Sequence, residues 1–255
     1  MMQKFLILIG ALSLSVNLFA QNLSIYCEDV KPAQFIGVDG KLAGFAVEIV
    51  QEIQKRVGNK DSIQMVPWAR GIEKLKHESN SLLFSMARTA ERDPQYQWIG
   101  PISETTYGLY VKANSQIKIN NLDDAKHAGV IGIYRGDVRD QILTQLGFTN
   151  LDRANSNIFS FRKLMLGRVA MYADAPIAVK SLVESEGYKL TDVRLVYTFF
   201  RTQLYIAASK GTDPMIVTQW NNALEQMKKE GVFLKIYREK YPDIEPPGPT
   251  ITKFE

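Results

Sequence analysis

Along this chain, short apolar runs of strand length alternate with longer stretches whose apolar positions recur every three to four residues. Leu23 to Cys27 alternates as a strand does, and Val38-Asp39-Gly40-Lys41 is a turn signal between two further apolar stretches. Ala46, Ile49, Val50, Ile53 and Val57 then share one helical face, and Gly58 stands where a helix C-cap takes positive φ. A strand at Ser62 to Val66, a helix from about Ala69 to His77 and a strand from Leu82 to Ser85 follow. Strands alternating with helices of this length predict a mainly parallel, doubly wound sheet.

The pattern restarts after Asn120. Val130 to Ile133 reads as a buried strand, and Asp137 as the cap of a helix whose apolar face carries Val138, Ile142 and Leu146. A second helix, from about Ile158 to Leu166, ends at Gly167, and a strand from Val169 to Ala173 leads into Asp174-Ala175-Pro176. There Asp as N-cap and Pro in the first turn predict another helix. Tyr107 to Lys112 and Gln203 to Lys210 are similar apolar strands placed just before and just after this second unit, so the second α/β unit is expected as an insertion into the first. The amphipathic tail from Pro214 to Tyr241, with Ile216, Trp220, Leu224, Met227, Phe233 and Ile236, is expected to pack back on the first unit as one or two helices.

The expected division is therefore lobe 1 over residues 21–110 and 205–255 and lobe 2 over 111–204. Two crossing strands would form the hinge, with a separate sheet in each lobe. Residues 1–20 read as a secretory signal: Lys4 is the charged start, Phe5 to Phe19 is apolar but too short and interrupted for a membrane span, and Ala20 is the expected cleavage point. That reading places the mature chain in the periplasm. Gln21, not Cys, stands directly after the cut, which argues against lipid anchoring.

Composition narrows the function. The 31 Lys and Arg against 27 Asp and Glu give a formal charge of +4, with no clustered basic face for nucleic acid. Cys27 is the single cysteine, so no internal disulfide forms, and it reads as a buried free thiol. His77 and His127 are isolated among polar neighbours, which argues against a multi-His metal site. No nucleophile triad or phosphate loop stands out, so no catalytic residue, cofactor or metal is expected.

Gly40-Lys41-Leu42-Ala43-Gly44-Phe45-Ala46-Val47-Glu48-Ile49, then Thr89-Ala90-Glu91-Arg92, then Gly167-Arg168-Val169 with Ala173-Asp174-Ala175, then Glu230 to Tyr237 stand in register over nearly the whole mature chain. Together they resemble the periplasmic solute-binding proteins of family 3, the polar amino-acid type used by ABC importers. Val66 to Arg70 and Ser85 to Thr89 are similar to a branch described only as generic solute-binding proteins. The resemblance implies a two-lobed α/β fold that binds a small polar ligand between its lobes, works as a monomer and delivers its ligand to an inner-membrane permease.

It also implies site residues. Arg92 aligns with the family's carboxylate-binding arginine, whose planar fork can hold a carboxylate by two parallel bonds. From the residues alone it could equally be a solvated arginine beside Glu91 and Asp93. Asp174 aligns with the acidic residue for the ligand's α-ammonium, while its own neighbourhood reads as an ordinary N-cap. Arg92 and Asp174 are thus expected to face each other across the cleft. Trp68 and Tyr26 are candidates for stacking on the ligand, though core packing is the commoner fate of such residues. Arg70 and Arg88 are candidates for a second anion clamp or for ion pairs at the surface.

One departure concerns Gly132 to Val138. Many relatives carry hydroxyl residues there that meet the ligand carboxylate, whereas Asp137 would repel it, Val138 has no hydroxyl, and Ala87 replaces another hydroxyl position. A ligand with an extra cationic group, or one that is not an amino acid, is therefore open. Two further classes remain: an enzyme on the same fold, dehydratase-like, with Glu28, Asp29 or Glu104 as general acid, and a ligand-sensing partner of a membrane receptor.

Overall fold

The computed structural model describes residues 22–242 and 244–250, so the expected signal segment lies outside the described residues. The first unit opens with β1 (Ser24–Cys27), the short hairpin β2 (Phe35–Ile36) and β3 (Leu42–Ala43), and α1 (Phe45–Val57). It continues through β4 (Ile63–Met65), α2 (Trp68–His77) and β5 (Ser81–Ala87) into the long strand β6 (Gln97–Lys112). Two glycines earn their places in this unit. Gly58 caps α1 at φ 72°, and Gly44 holds φ 122° where an added Cβ would lie 2.2 Å from the Ala33 carbonyl oxygen, a conformation and an approach open only to glycine.

The second unit runs α3 (Leu122–His127), β7 (Ile131–Tyr134), α4 (Val138–Gln145), β8 (Leu151–Ala154), α5 (Asn157–Met165), β9 (Met171–Asp174) and α6 (Pro176–Ser185). The chain returns along β10 (Val193–Ala208) and closes the first unit with α7 (Pro214–Lys229) and α8 (Val232–Lys240). The tail is thus two helices.

Strand order is β4-β1-β5-β10-β6-β9-β7-β8. β1 lies parallel between β4 and β5, and β7 parallel between β8 and β9, while β6 and β10 are antiparallel to their neighbours. The expected separate sheets are therefore corrected to one hydrogen-bonded ladder. The cause is the length of the crossings: β6 and β10 have 16 residues each and serve as inner strands of both halves. β5 pairs with the Leu204–Ala208 end of β10, and β9 with Gly108 to Tyr110 of β6. From Ser103 to Tyr107, β6 pairs with β10 alone.

The cores divide where the ladder does not. In the first half, Ile25, Leu82 and Phe84 pack with α1, α7 and α8 through Ile49, Trp220, Leu224 and Tyr237, while Tyr26 and Leu83 point to the opposite face with Trp68 and Leu75. In the second half, Ile131, Ile133, Leu109 and Ala173 share one face with Leu143 and Phe148, and Tyr110 and Tyr172 share the other with Phe161 and Val179. Successive residues of one strand thus enter different cores, as the two-residue strand period requires.

Two local expectations are corrected. α4 buries Val138, Arg139, Asp140 and Leu143, while Leu146 is exposed; polar bonding of its first turn, described below, rotates that helix away from the expected apolar face. The N-cap of α6 is Ala175, without a side-chain cap bond, and Asp174 is the last residue of β9.

Candidate functional site

Between the two halves lies a cavity of about 120 Å³ at the ends of β1 and β5 from one side and of β9 and the first turn of α4 from the other. Its apolar wall includes Phe45, Phe84, Val138, Ile177 and Leu204, and its polar wall gathers Glu28, Arg92, Ser103, Glu104, Asp137, Arg139 and Asp174. Trp68 and Tyr107 supply aromatic faces. Ser85, also on the wall, holds φ 62° and donates to Gln34 Oε1 at 2.8 Å. A left-handed serine is uncommon outside sites where the surrounding fold enforces it.

Arg92 sits in the turn after β5, where its N–H bonds the hydroxyl of Thr89 and the Asp93 N–H bonds the Thr89 carbonyl at 2.8 Å. Only 3 % of the residue is exposed. Its guanidinium lies over the Trp68 ring at 5.5 Å, and Nη1 reaches the Ala87 carbonyl at 3.3 Å. Nη2 has no hydrogen-bond partner, and neither does the buried hydroxyl of Ser103 on the same wall. Burial lowers the Arg92 pKa, with the Asp137 carboxylate as the leading opposing influence. An unpartnered buried donor on a cation is expensive, so this wall is poised to meet an acceptor.

The second lobe presents its charges already paired. Asp137 caps α4, accepting from the N–H groups of Arg139 and Asp140 at 2.9 and 3.1 Å, and its other oxygen pairs with the Arg139 guanidinium. Arg139 also pairs with Asp174 and donates from Nη2 to Asn157 at 2.9 Å. Asp174 takes two more donors, the hydroxyl of Tyr172 and the N–H of Ala175 at 2.8 Å. Burial raises the Asp174 pKa against the pull of Arg139. Burial also works against the charge on Arg139, but Asp137 and Asp174 together outweigh it and hold its pKa well above the ordinary value. The guanidinium lies 5.6 Å from the centre of the Tyr107 ring.

Several contacts join the lobes around the cavity. Trp68 Nε1 donates to the Gly136 carbonyl at 3.2 Å, and Gln145 Nε2 donates to Glu91 at 2.7 Å. Tyr134 of the second lobe also packs in the cluster of Trp68 and Tyr96 and, beside Glu28, favours its charged form. Burial pushes the Glu28 pKa up to about 7, with Asp137 adding to the rise and the bonds from Tyr134 and the Trp68 backbone opposing it. The lobes are thus closed over the cavity.

The model of the bacterial extracellular solute-binding proteins, family 3, matches residues 24–242. This chain belongs to that family. It is 26 % identical over 207 residues to the L-cystine-binding protein TcyJ of Escherichia coli (strain K12), covering 79 % of this chain and 75 % of that protein. Among solved structures, a histidine kinase sensor domain with similarity to periplasmic binding proteins matches at 19 % identity and TM-score 0.79, over 89 % of this chain and 99 % of that one. An ancestral arginine-binding protein bound to arginine matches at 24 % and 0.75, over 87 % and 99 %. At such identities the structural likeness carries the fold alone: the family's two-lobed periplasmic-binding-protein architecture.

Within this family member, four of the seven residues singled out in the sequence line the cavity: Arg92, Asp174, Trp68 and Asp137. Three do not. Tyr26 points away, bonding Glu78 at 2.7 Å beneath Lys74. Arg88 pairs with Asp93 at 2.5 Å and packs on Trp98 and Tyr205, and Arg70 is exposed on α2. Asp174 shares the cavity with Arg92, but its oxygens are engaged within its own lobe. Arg139 was not foreseen; the signal was a charged residue two places after a capping Asp, on a helix turn that the wrong face assignment put in solvent. Of the candidate acids, Asp29 is exposed, while Glu28 and Glu104 both line the cavity, Glu104 held by Arg201 and Gln203. Among the described residues no group of acids, His or Cys could hold a metal ion, and no helix is long and apolar enough to cross a membrane.

Proposed function

We propose that this protein captures a small carboxylate-bearing solute, an amino acid or a related molecule, between its lobes in the periplasm and presents it as a monomer to an ABC permease. The observation that carries the ligand chemistry is Arg92: a buried cation on the cavity wall with Nη2 unpartnered, beside the unpartnered Ser103 hydroxyl. A carboxylate is the group that two such donors fit. Family membership supports capture for import, and the names of relatives that bind cystine and arginine support the amino-acid range.

The test is thermal unfolding and calorimetry of the purified protein against amino acids and organic acids, with the ligand recovered and analysed afterwards. A ligand at a hundred times its dissociation constant stabilises by about 2.7 kcal/mol. Recovery of the bound ligand unchanged supports binding without chemistry. A second reading rests on Glu28, whose carboxyl, titrating at about 7 on the cavity wall, suits a general acid. Conversion of the ligand, abolished by Glu28→Gln, would establish that reading instead.

A further inference from the structure

We propose that the tail after α8 sets the length of the ligand: Ile244 on that tail and Ile177 of the second lobe form a partition that closes one side of the cavity and excludes longer homologues. This rests on the capture of a carboxylate by Arg92. Beyond the cavity, between the tail and α6, lies a larger groove of about 660 Å³. Four residues line both spaces: Lys31, Pro32, Ile177 and Ile244. Lys31 is exposed, with its ammonium over the Phe35 ring at 5.3 Å. The apolar part of the divide is therefore Pro32 and the two isoleucines, one from each lobe.

Ile244 follows the last helix, yet it is fastened on both sides. Its N–H bonds the Tyr241 carbonyl at 2.9 Å, the Tyr241 hydroxyl bonds Glu48 at 3.2 Å, and its side chain packs against the core of the first lobe. From there the chain passes through Pro246 and Pro247 to Glu104 and Gln203, which face each other across the two crossing strands. The Gly248 N–H donates to Glu104 at 3.3 Å, and Gln203 Nε2 donates to the Gly248 and Pro249 carbonyls at 3.2 and 2.8 Å. Proline fixes φ, so a tail with prolines at 242, 246, 247 and 249 has few other conformations to adopt. A wall held in this way does not yield as a free loop would. The space behind it is small: about 120 Å³, somewhat below the roughly 150 Å³ of an apolar cavity known to take benzene. One methylene too many in a filled apolar pocket costs about tenfold or more in affinity. Removing the bulk of Ile244 or Ile177 would join the cavity to the groove and give a longer chain somewhere to go.

The experiment uses two unbranched series of probes: L-alanine, L-norvaline, L-norleucine and L-2-aminooctanoate, and propanoate, pentanoate, hexanoate and octanoate. Calorimetry on the unmodified protein is expected to show, in at least one series, a shorter member binding about tenfold or more tightly than the eight-carbon member. Ile244→Ala should shrink that ratio about tenfold or more, and Ile177→Ala should do the same from the other lobe. A loss of affinity equal at every length would mark Ile244 as a structural residue and overturn the inference. So would an unmodified protein that binds the eight-carbon acid as tightly as the short ones. Either result leaves carboxylate capture by Arg92 standing. If no acid of either series binds any of these proteins, carboxylate capture itself fails and takes the inference with it. Ile177→Ala and the length series on the unmodified protein decide the matter even where Ile244→Ala does not fold.

Discussion

Replacing Arg92 by Met separates what this residue does for binding from what it does for the fold. Met keeps an apolar stem but removes the guanidinium that lies over Trp68, of which one nitrogen has no partner and another makes a single 3.3 Å bond to Ala87. Leaving a buried donor unsatisfied costs about 1 to 3 kcal/mol, against which the lost bond to Ala87 and the stacking on Trp68 contribute about 1 kcal/mol each. The ligand-free protein should therefore change by no more than about 1 kcal/mol in either direction, which for a chain of this size moves the melting temperature by about 2–4 °C. Binding should respond very differently. Truncating one member of a buried charge pair typically costs about 2 to 5 kcal/mol, so affinity for any carboxylate ligand should fall at least thirtyfold. Calorimetric melting without ligand and isothermal titration with the tightest acid from the panel measure the two effects. A variant that binds like the parent but melts far lower would show that Arg92 is a structural residue and refute the reasoning.

Three other outcomes are expected. Trp68→Phe removes the 3.2 Å bond to Gly136 that ties the lobes; it should weaken binding by about 1 kcal/mol, roughly fivefold, mainly by faster release in stopped-flow measurements. Glu28 has its carboxyl raised from 4.5 to about 7 in the fold, so the folded protein holds this proton more tightly than the unfolded chain. The stability it contributes is full below about pH 4.5, at most about 3 kcal/mol, and is lost as pH rises through 7. Urea melts of Glu28→Gln should lack that slope, and an unchanged slope would disprove the assignment. Gly44→Ala forces a Cβ to within 2.2 Å of the Ala33 carbonyl at φ 122° and should destabilise the protein by more than about 3 kcal/mol in the same melts.

The α/β order was legible because each element carries its own period. The face of α1, its glycine cap and the two crossing strands could be read from apolar spacing and turn chemistry alone. The ends of the crossings could not, since the polar residues from Gln97 to Thr106 and from Val193 to Thr202 are strand only because each strand pairs with the other. The resemblance pointed to Arg92 and Asp174, and both stand on the cavity wall. What the sequence concealed was a relation between residues 35 apart: the guanidinium of Arg139 against Asp174. Periodicity assigns a charged residue to solvent, and a buried ion pair inverts that rule wherever its partners arrive from another element.

The chain enters the second lobe at the end of β6 and leaves it at the start of β10, and the Ala113 N–H bonds the Asp192 carbonyl at 2.8 Å. Entry and exit are therefore neighbours, and the intervening segment packs around two cores completed by Leu109, Tyr110, Val111 and Val193 of the crossing strands. Such a segment is a cassette. Its boundary can be closed by a short linker, so residues 113–192 are the place at which a foreign lobe with similarly adjoining ends could be spliced in. New chain termini could equally be opened on its surface without cutting the first lobe. The ligand wall contributed by Asp137, Arg139 and Asp174 would travel with that cassette as a unit, while Arg92, Trp68 and Glu28 would stay behind. In such a protein, recombination at two adjacent points can exchange one half of the specificity and keep the other.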